Sequence, residues 1–177
     1  MKLEVKENEL FFAKVKEDAI IPTKNTEDMG YDIYSCFDEE YIVINPHETK
    51  MIPTGIASAC SEEYGIILKE RGSTGTKGIA QRSGVIEGSF RGEWFVPLTN
   101  TTNDFIIISK LPKEELIKKV FGWFESFVNV NIYPYTKAIA QAIIVPVPKM
   151  NTQEISYEDL KSITSKRGTG CLGSSGK

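Results

Sequence analysis

The chain has 177 residues, 41% of them hydrophobic and 25% charged, with a net charge of -3. That length supports one domain with a full core, and the slight acidity excludes a non-specific nucleic-acid partner, which needs a basic face to release counterions. No run approaches the ~20 apolar residues of a membrane span, and the opening MKLEVKENEL lacks the apolar centre of a signal peptide, so no membrane association and a cytoplasmic setting are expected.

Runs rich in Ile, Val and aromatic residues predict strands at Phe11–Val15, Tyr41–Ile44, Gly55–Cys60, Tyr64–Leu68, Ile79–Ile86, Trp94–Leu98, Phe105–Ile108 and Ile139–Val147. Pro22, Pro46, Pro53, Pro97 and several glycines punctuate them as in a β-sandwich or barrel. One helix is predicted over Pro112–Phe127. Pro112 suits its first turn, Glu114 and Glu115 sit near its positive end, and Leu116, Ile117, Val120, Phe121 and Phe124 trace one apolar face. Gly122 weakens it by roughly 1 kcal/mol. Asn151–Ser165 reads as a polar connector. Beyond it, Gly168, Gly170, Gly173 and Gly176 alternate with hydroxyl residues and cations. Such a string holds no helix, but its open N–H groups and Arg167 suit a polyphosphate. Five residues separate Gly170 from Gly176, where a Walker A loop has four, so the segment is no P-loop: it reads as a frayed terminus or, if it binds phosphate, as a free arm closing over a site built elsewhere.

What chemistry is open is narrowed by two scarce residue types. His47 is the single histidine and sits in Asn45-Pro46-His47-Glu48, a turn signal; Cys36, Cys60 and Cys171 are odd in number and far apart. Neither a zinc cluster nor a disulfide framework fits, and a reducing compartment does. Catalysis must then run on carboxylates, cations, hydroxyls or a metal brought by the substrate. Arg71-Gly72-Ser73-Thr74-Gly75 offers a guanidinium, hydroxyls and backbone donors, which suits an anion and equally a plain turn. Gly84–Glu93 reads as a hairpin turning at Gly88-Ser89, with Glu87, Phe90 and Arg91 at its tip. Glu87 fits a solvated turn as readily as a water-activating carboxylate.

Taken in order, these segments resemble the five motifs of the trimeric deoxyuridine triphosphatase (dUTPase) family. Met29-Gly30-Tyr31-Asp32-Ile33 resembles the first, and Arg71-Gly72-Ser73 the second. Gly84-Val85-Ile86-Glu87 followed by Phe90-Arg91-Gly92-Glu93 resembles the third. Ala138-Ile139-Ala140-Gln141 is similar to the fourth, and Arg167-Gly168-Thr169-Gly170 through Gly176 to the fifth. The resemblance covers roughly residues 8 to 177 around an insert at about 100–136. It implies an all-β, jelly-roll-like barrel with one inserted helix, a β domain over residues 1–165 and a mobile phosphate-closing arm over 166–177. It further implies a homotrimer with active sites at subunit boundaries, acting on dUTP to give dUMP and pyrophosphate, with Mg carried on the phosphates and no protein ligands to the metal.

By that resemblance Glu87, Asp32 and Gln141 are the expected catalytic residues. Arg71, Gly72, Ser73, Gln81, Gly84, Val85, Ile86, Phe90, Arg167, Leu172, Gly173, Ser174 and Ser175 are expected at the substrate. Four positions depart from the family's usual residues: Glu87 replaces aspartate, Phe90 tyrosine, Leu172 phenylalanine and Gly72 serine. The longer Glu87 side chain displaces its carboxylate by ~1.5 Å, about one C–C bond. The alternatives are a dCTP deaminase of the same superfamily and a non-catalytic nucleotide-binding module. The insert is expected to be an elaborated loop packed on the barrel, or else a lid or partner-binding element.

Overall fold

The computed structural model describes residues 4–122 and 129–170, in two compact units divided between Val147 and Pro148. Among the described residues the first unit carries twelve strands and two helices. The strands are β1 (Leu10–Lys14), β2 (Gly30–Ile33), β3 (Tyr41–Ile44), β4 (Thr49–Pro53), β5 (Ile56–Cys60), β6 (Tyr64–Lys69), β7 (Ile79–Gln81), β8 (Val85–Glu87), β9 (Phe95–Asn100), β10 (Phe105–Ser109), β11 (Val130–Pro134) and β12 (Ala140–Pro146). They form four open sheets, ordered β1-β5, β11-β10-β3, β2-β12-β6-β8 and β4-β9-β7, rather than one closed barrel.

The apolar runs explain which strands lie deepest. Ile106, Ile107 and Ile108 of β10 are all buried, because β10 is the centre of its sheet, flanked by β3 and β11. β9 and β5 are likewise buried along nearly their whole length, whereas the sheet that carries β2 buries one face and leaves the other more open. In β2-β12-β6-β8 the inward row of Ile33, Ala140, Ala142, Ile66, Leu68 and Ile86 joins the core with Trp94, Ile44 and Ile52. Side chains alternate along a strand, so Asp32, Gln141, Lys69 and Glu87 are carried to the opposite face.

Three strands, β2, β4 and β11, were not anticipated; each is short and two end at or contain residues that read as turn punctuation. The expected strand over Ile79–Ile86 is two strands in different sheets. Ser83 (φ 57°) and Gly84 (φ 105°) turn the chain from β7 to β8. A Cβ at Gly84 would lie 2.5 Å from Gln81 Nε2 and 2.8 Å from Leu68 Cβ, and Leu68 N donates to Gly84 O at 2.7 Å. The expected hairpin at Gly88-Ser89 is a turn whose arms do not pair with one another. β8 pairs with β6, whereas β9 pairs with β4 and β7.

Segment 100–136 is woven into the β domain, since it supplies β10 and β11. These two strands run parallel, which requires a long crossover. Within that crossover lies α2 (Lys113–Phe121), following the one-turn α1 (Gly72–Gly75). α2 buries Leu116 and pairs Lys119 with Glu40. Its described extent ends at Phe121, with Gly122 at the C-cap in a positive φ of 51°, and the expected continuation over 123–127, Trp123 and Phe124 included, lies outside the described residues. No described helix is long and apolar enough to cross a membrane.

In the second unit the expected polar connector contains a helix, α3 (Tyr157–Ser162). Ser156 caps it by accepting from Asp159 N at 3.1 Å, a Ser-x-x-Asp signature present in the sequence. Arg167 then enters a tight turn in which Ser165 Oγ accepts from Arg167 N and Gly168 N at 3.3 and 3.2 Å. Leu172, Gly173, Ser174 and Ser175 lie outside the described residues.

Candidate active site

One corner of the β2-β12-β6-β8 sheet gathers three of the expected segments. Asp32 is directly opposite Gln141 across β2 and β12, and Gln141 is directly opposite Lys69 across β12 and β6. Side chains facing one another in this way start about 5 Å apart and share a face. Arg71 lies just beyond the end of β6. Its Nε is 3.2 Å from Asp32 Oδ1, Nη2 donates to Asp32 Oδ2 at 3.3 Å, and Nη1 donates to Ala138 O at 3.3 Å. The guanidinium is thereby fixed in orientation, about a quarter exposed at 28%.

The turn after Arg71 is set by Thr74 rather than by the residues it displays. Thr74 is buried; its Oγ1 donates to Arg71 O at 2.9 Å and accepts from Arg71 N at 3.1 Å. Gly72 and Ser73 are left exposed at the tip. Lys69, which sequence reasoning passed over, sits in the same row with Nζ 3.3 Å from Glu70 Oε2. Its signal was the strand alternation, which puts Lys69 and Arg71 on one side. The backbone N–H of Glu70, and after it Lys69, hold the Glu70 carboxyl below its usual range, against burial that raises it.

A cavity of about 380 Å³ opens around the third segment, lined among others by Gly84, Val85, Ile86, Glu87, Phe90 and Phe95. The turn carrying Glu87 is tightly held: Phe90 N donates to Glu87 O at 2.9 Å and Arg91 Nη1 to Gly88 O at 2.6 Å. Gly88 is pressed onto the β5–β6 connection, where a Cβ would meet Tyr64 O at 2.7 Å. The Phe90 ring lies on Gly92, whose Cβ would fall 2.5 Å from Phe90 Cζ. Gln81, expected at the substrate, does not line this cavity. Its amide donates to Arg82 O at 2.6 Å and Ser83 O at 3.0 Å and holds the bend between β7 and β8.

The two clusters are apart on one chain. Glu87 is opposite Gly65, four residues along β6 from Lys69, and β8 is three strands from β2. Strand rise and spacing put Asp32 and Glu87 roughly 20 Å from each other. Between them the outward face shows Ile67 and Val85, the latter 73% exposed. Arg167 belongs to the second unit. Among the described residues no three His, Cys, Asp or Glu side chains converge as a metal cage. His47 is an exposed turn residue at φ 61°, hydrogen-bonded to Asn103 at 3.0 Å, and has no part in either cluster.

The dUTPase family model matches residues 16–113, which include Asp32, Arg71 and Glu87. A deoxyuridine 5'-triphosphate nucleotidohydrolase of Nautilia profundicola is 29% identical over the full length of both chains (100% of each). Among solved structures, a mutant dUTPase of Staphylococcus bacteriophage 80alpha with dUpNHpp superposes with a TM-score of 0.70 at 22% identity, covering 95% of this chain and 98% of that one. A mutant dUTPase from phage phi11 of S. aureus, studied for its structural Mg(II) ion, gives 0.61 at 21% identity over 84% and 97%. With the family model spanning more than half the chain and the fold shared almost end to end, this protein belongs to the dUTPase family.

Proposed function

We propose that this chain hydrolyses dUTP to dUMP and pyrophosphate. The observation that carries the reading is the pairing of two features on a dUTPase fold. One is a fixed Asp32–Arg71–Gln141 corner suited to phosphate; the other is a cavity with a carboxylate, Glu87, and an aromatic ring, Phe90, at its mouth. Glu87 removes a proton from water, whose oxygen attacks the α-phosphorus as the bond to the pyrophosphate oxygen breaks. Arg71, Ser73, Gln141 and Arg167 stabilise the charge that gathers on the phosphate oxygens. Uracil is read by the backbone of Gly84–Ile86, and Phe90 lies against the deoxyribose. Leu172, Gly173, Ser174 and Ser175 close over the bound nucleotide.

The separation of roughly 20 Å between Asp32 and Glu87 supports a site assembled from more than one copy, in keeping with the homotrimer that the dUTPase resemblance implies. Mg2+ bound to the triphosphate would neutralise phosphate charge. Buried free thiols at Cys36 and Cys60 suit a reducing cytoplasm.

Pyrophosphate release from dUTP, measured beside dCTP and UTP, tests the reading. Turnover of dUTP alone is the expected result; uracil-nucleotide formation from dCTP, or saturable binding without turnover, would overturn it.

A further inference from the structure

We infer that Lys69 is a further binding residue for the triphosphate, held on Glu70 until substrate arrives; the inference rests on the dUTPase reading above. Lys69 ends β6, and Arg71 two residues later keeps an extended backbone (φ -81°, ψ 150°), so both project from the same face. Lys69 is register-opposed to Gln141, and Gln141 to Asp32, so its stem rises beside the expected phosphate contacts. Arg71 meets the carboxylate of Asp32 through Nε and Nη2, and that pair contributes no net charge. A ligand carrying several negative charges needs another cation at this corner, and Lys69 supplies it.

The geometry also says which partner moves. The Glu70 side chain is the less exposed of the two, at 35%, and its Oε2 is buried. The Lys69 side chain is 57% exposed and reaches Glu70 along a flexible four-carbon stem. Exposed ion pairs of this kind are weak, so exchanging one carboxylate for phosphate oxygens is readily driven by ligand. Arg82, whose charge also acts on Glu70, remains to compensate it after Lys69 leaves.

Titration of parent, Lys69→Met, Lys69→Arg and Glu70→Gln with Mg-dUpNHpp and with dUMP tests this, alongside steady-state turnover of dUTP. Lys69→Met is expected to weaken dUpNHpp binding roughly tenfold to a hundredfold and to raise KM with kcat less affected. Its dUMP binding should stay at the parent level, and Lys69→Arg should recover most of the loss. Glu70→Gln should tighten dUpNHpp binding in a Lys69 background and have no such effect in Lys69→Met. Equal dUpNHpp affinities for parent and Lys69→Met overturn the proposal, as does a parent that binds no dUpNHpp. A parent that binds dUpNHpp but releases no pyrophosphate from dUTP overturns the hydrolase reading instead, and the same titrations still decide Lys69.

Discussion

Arg71 and Asp32 meet at two points, Nε to Oδ1 at 3.2 Å and Nη2 to Oδ2 at 3.3 Å, although 39 residues separate them in sequence. The contact forms because β12 lies between β2 and β6 and brings both ends of the pair to one sheet corner. The contact fixes the plane of the guanidinium, so the role proposed for Asp32 is to orient Arg71 for the phosphate. Asp32→Asn keeps the shape and removes the ionic contact at Nε and the charge-assisted bond from Nη2. Such bonds are worth about 1.5–3 kcal/mol, so kcat/KM for dUTP should fall roughly tenfold to a hundredfold. Unchanged efficiency in a folded variant would remove Asp32 from the site.

Glu87 carries a separate prediction. Glu87→Gln retains size and hydrogen bonding at the cavity mouth but cannot take a proton from water. dUTP binding should persist while turnover falls by ~100-fold or more. A rate within a few-fold of the parent would show that another group activates the water.

The sequence made the chemistry of these two clusters legible but not their separation. Arg71, Asp32, Gln141 and Glu87 stand in recognisable segments, and strand alternation puts them all on one sheet face. Which strands neighbour one another is a tertiary fact, so neither the Asp32–Arg71 contact nor the distance to Glu87 could be read from spacing. The expected strand through Arg82–Gly84 failed for a local reason: apolar residues at both ends of the run outweighed Ser83 and Gly84, whose positive φ values break it. Lys69 was hidden because a lone lysine at a strand end has no signature until its register partners are known. α3 was legible, since Ser156 and Asp159 have capping spacing, but the polar composition around them obscured it.

Gly84 gives a stability prediction. Its φ of 105° is a region that residues with a side chain rarely adopt, and a Cβ would come within 2.5 Å of Gln81 Nε2 and 2.8 Å of Leu68 Cβ. Gly84→Ala should destabilise the protein by roughly 1–3 kcal/mol, measured by urea unfolding, and distort the cavity wall. A variant as stable as the parent would show that the bend between β7 and β8 does not need a left-handed residue.

Glu48 gives the pH dependence. Its carboxylate accepts from Asn45 N at 2.7 Å and Asn45 Nδ2 at 2.9 Å across the turn between β3 and β4. The Asn45 backbone N–H is the main cause that holds this carboxyl below its usual range, with burial opposing and Lys50 assisting. A carboxyl lowered on folding contributes stability in full above its unfolded value of about 4.3, and that contribution is lost as pH falls through the lower folded value. The parent should melt above Glu48→Gln at neutral pH, and the gap should close below about pH 4. A gap that does not change with pH would assign the effect to hydrogen-bond geometry instead of ionisation.

The final prediction concerns the arm, and it follows from the trimer proposed above. The glycine-rich sequence 168–176 offers few apolar side chains, so closing it over a site would draw on ligand contacts. Closure in trans would put Arg167 of one copy over Glu87 of another, adding a cation to the phosphates and excluding water. Glu87→Gln and Arg167→Ala should then each be nearly inactive as homogeneous assemblies. Mixed in equal amounts and reassembled, they should recover activity, because some sites combine an intact Glu87 with an intact Arg167. With random assembly and one donor of each residue per site, roughly a quarter of the sites would be complete. An arm that closes over the same copy's Glu87 leaves one defect in every site, and mixing restores nothing. Turnover by purified mixed trimers, checked for composition by mass spectrometry, separates the two geometries: no recovery there rules out closure in trans.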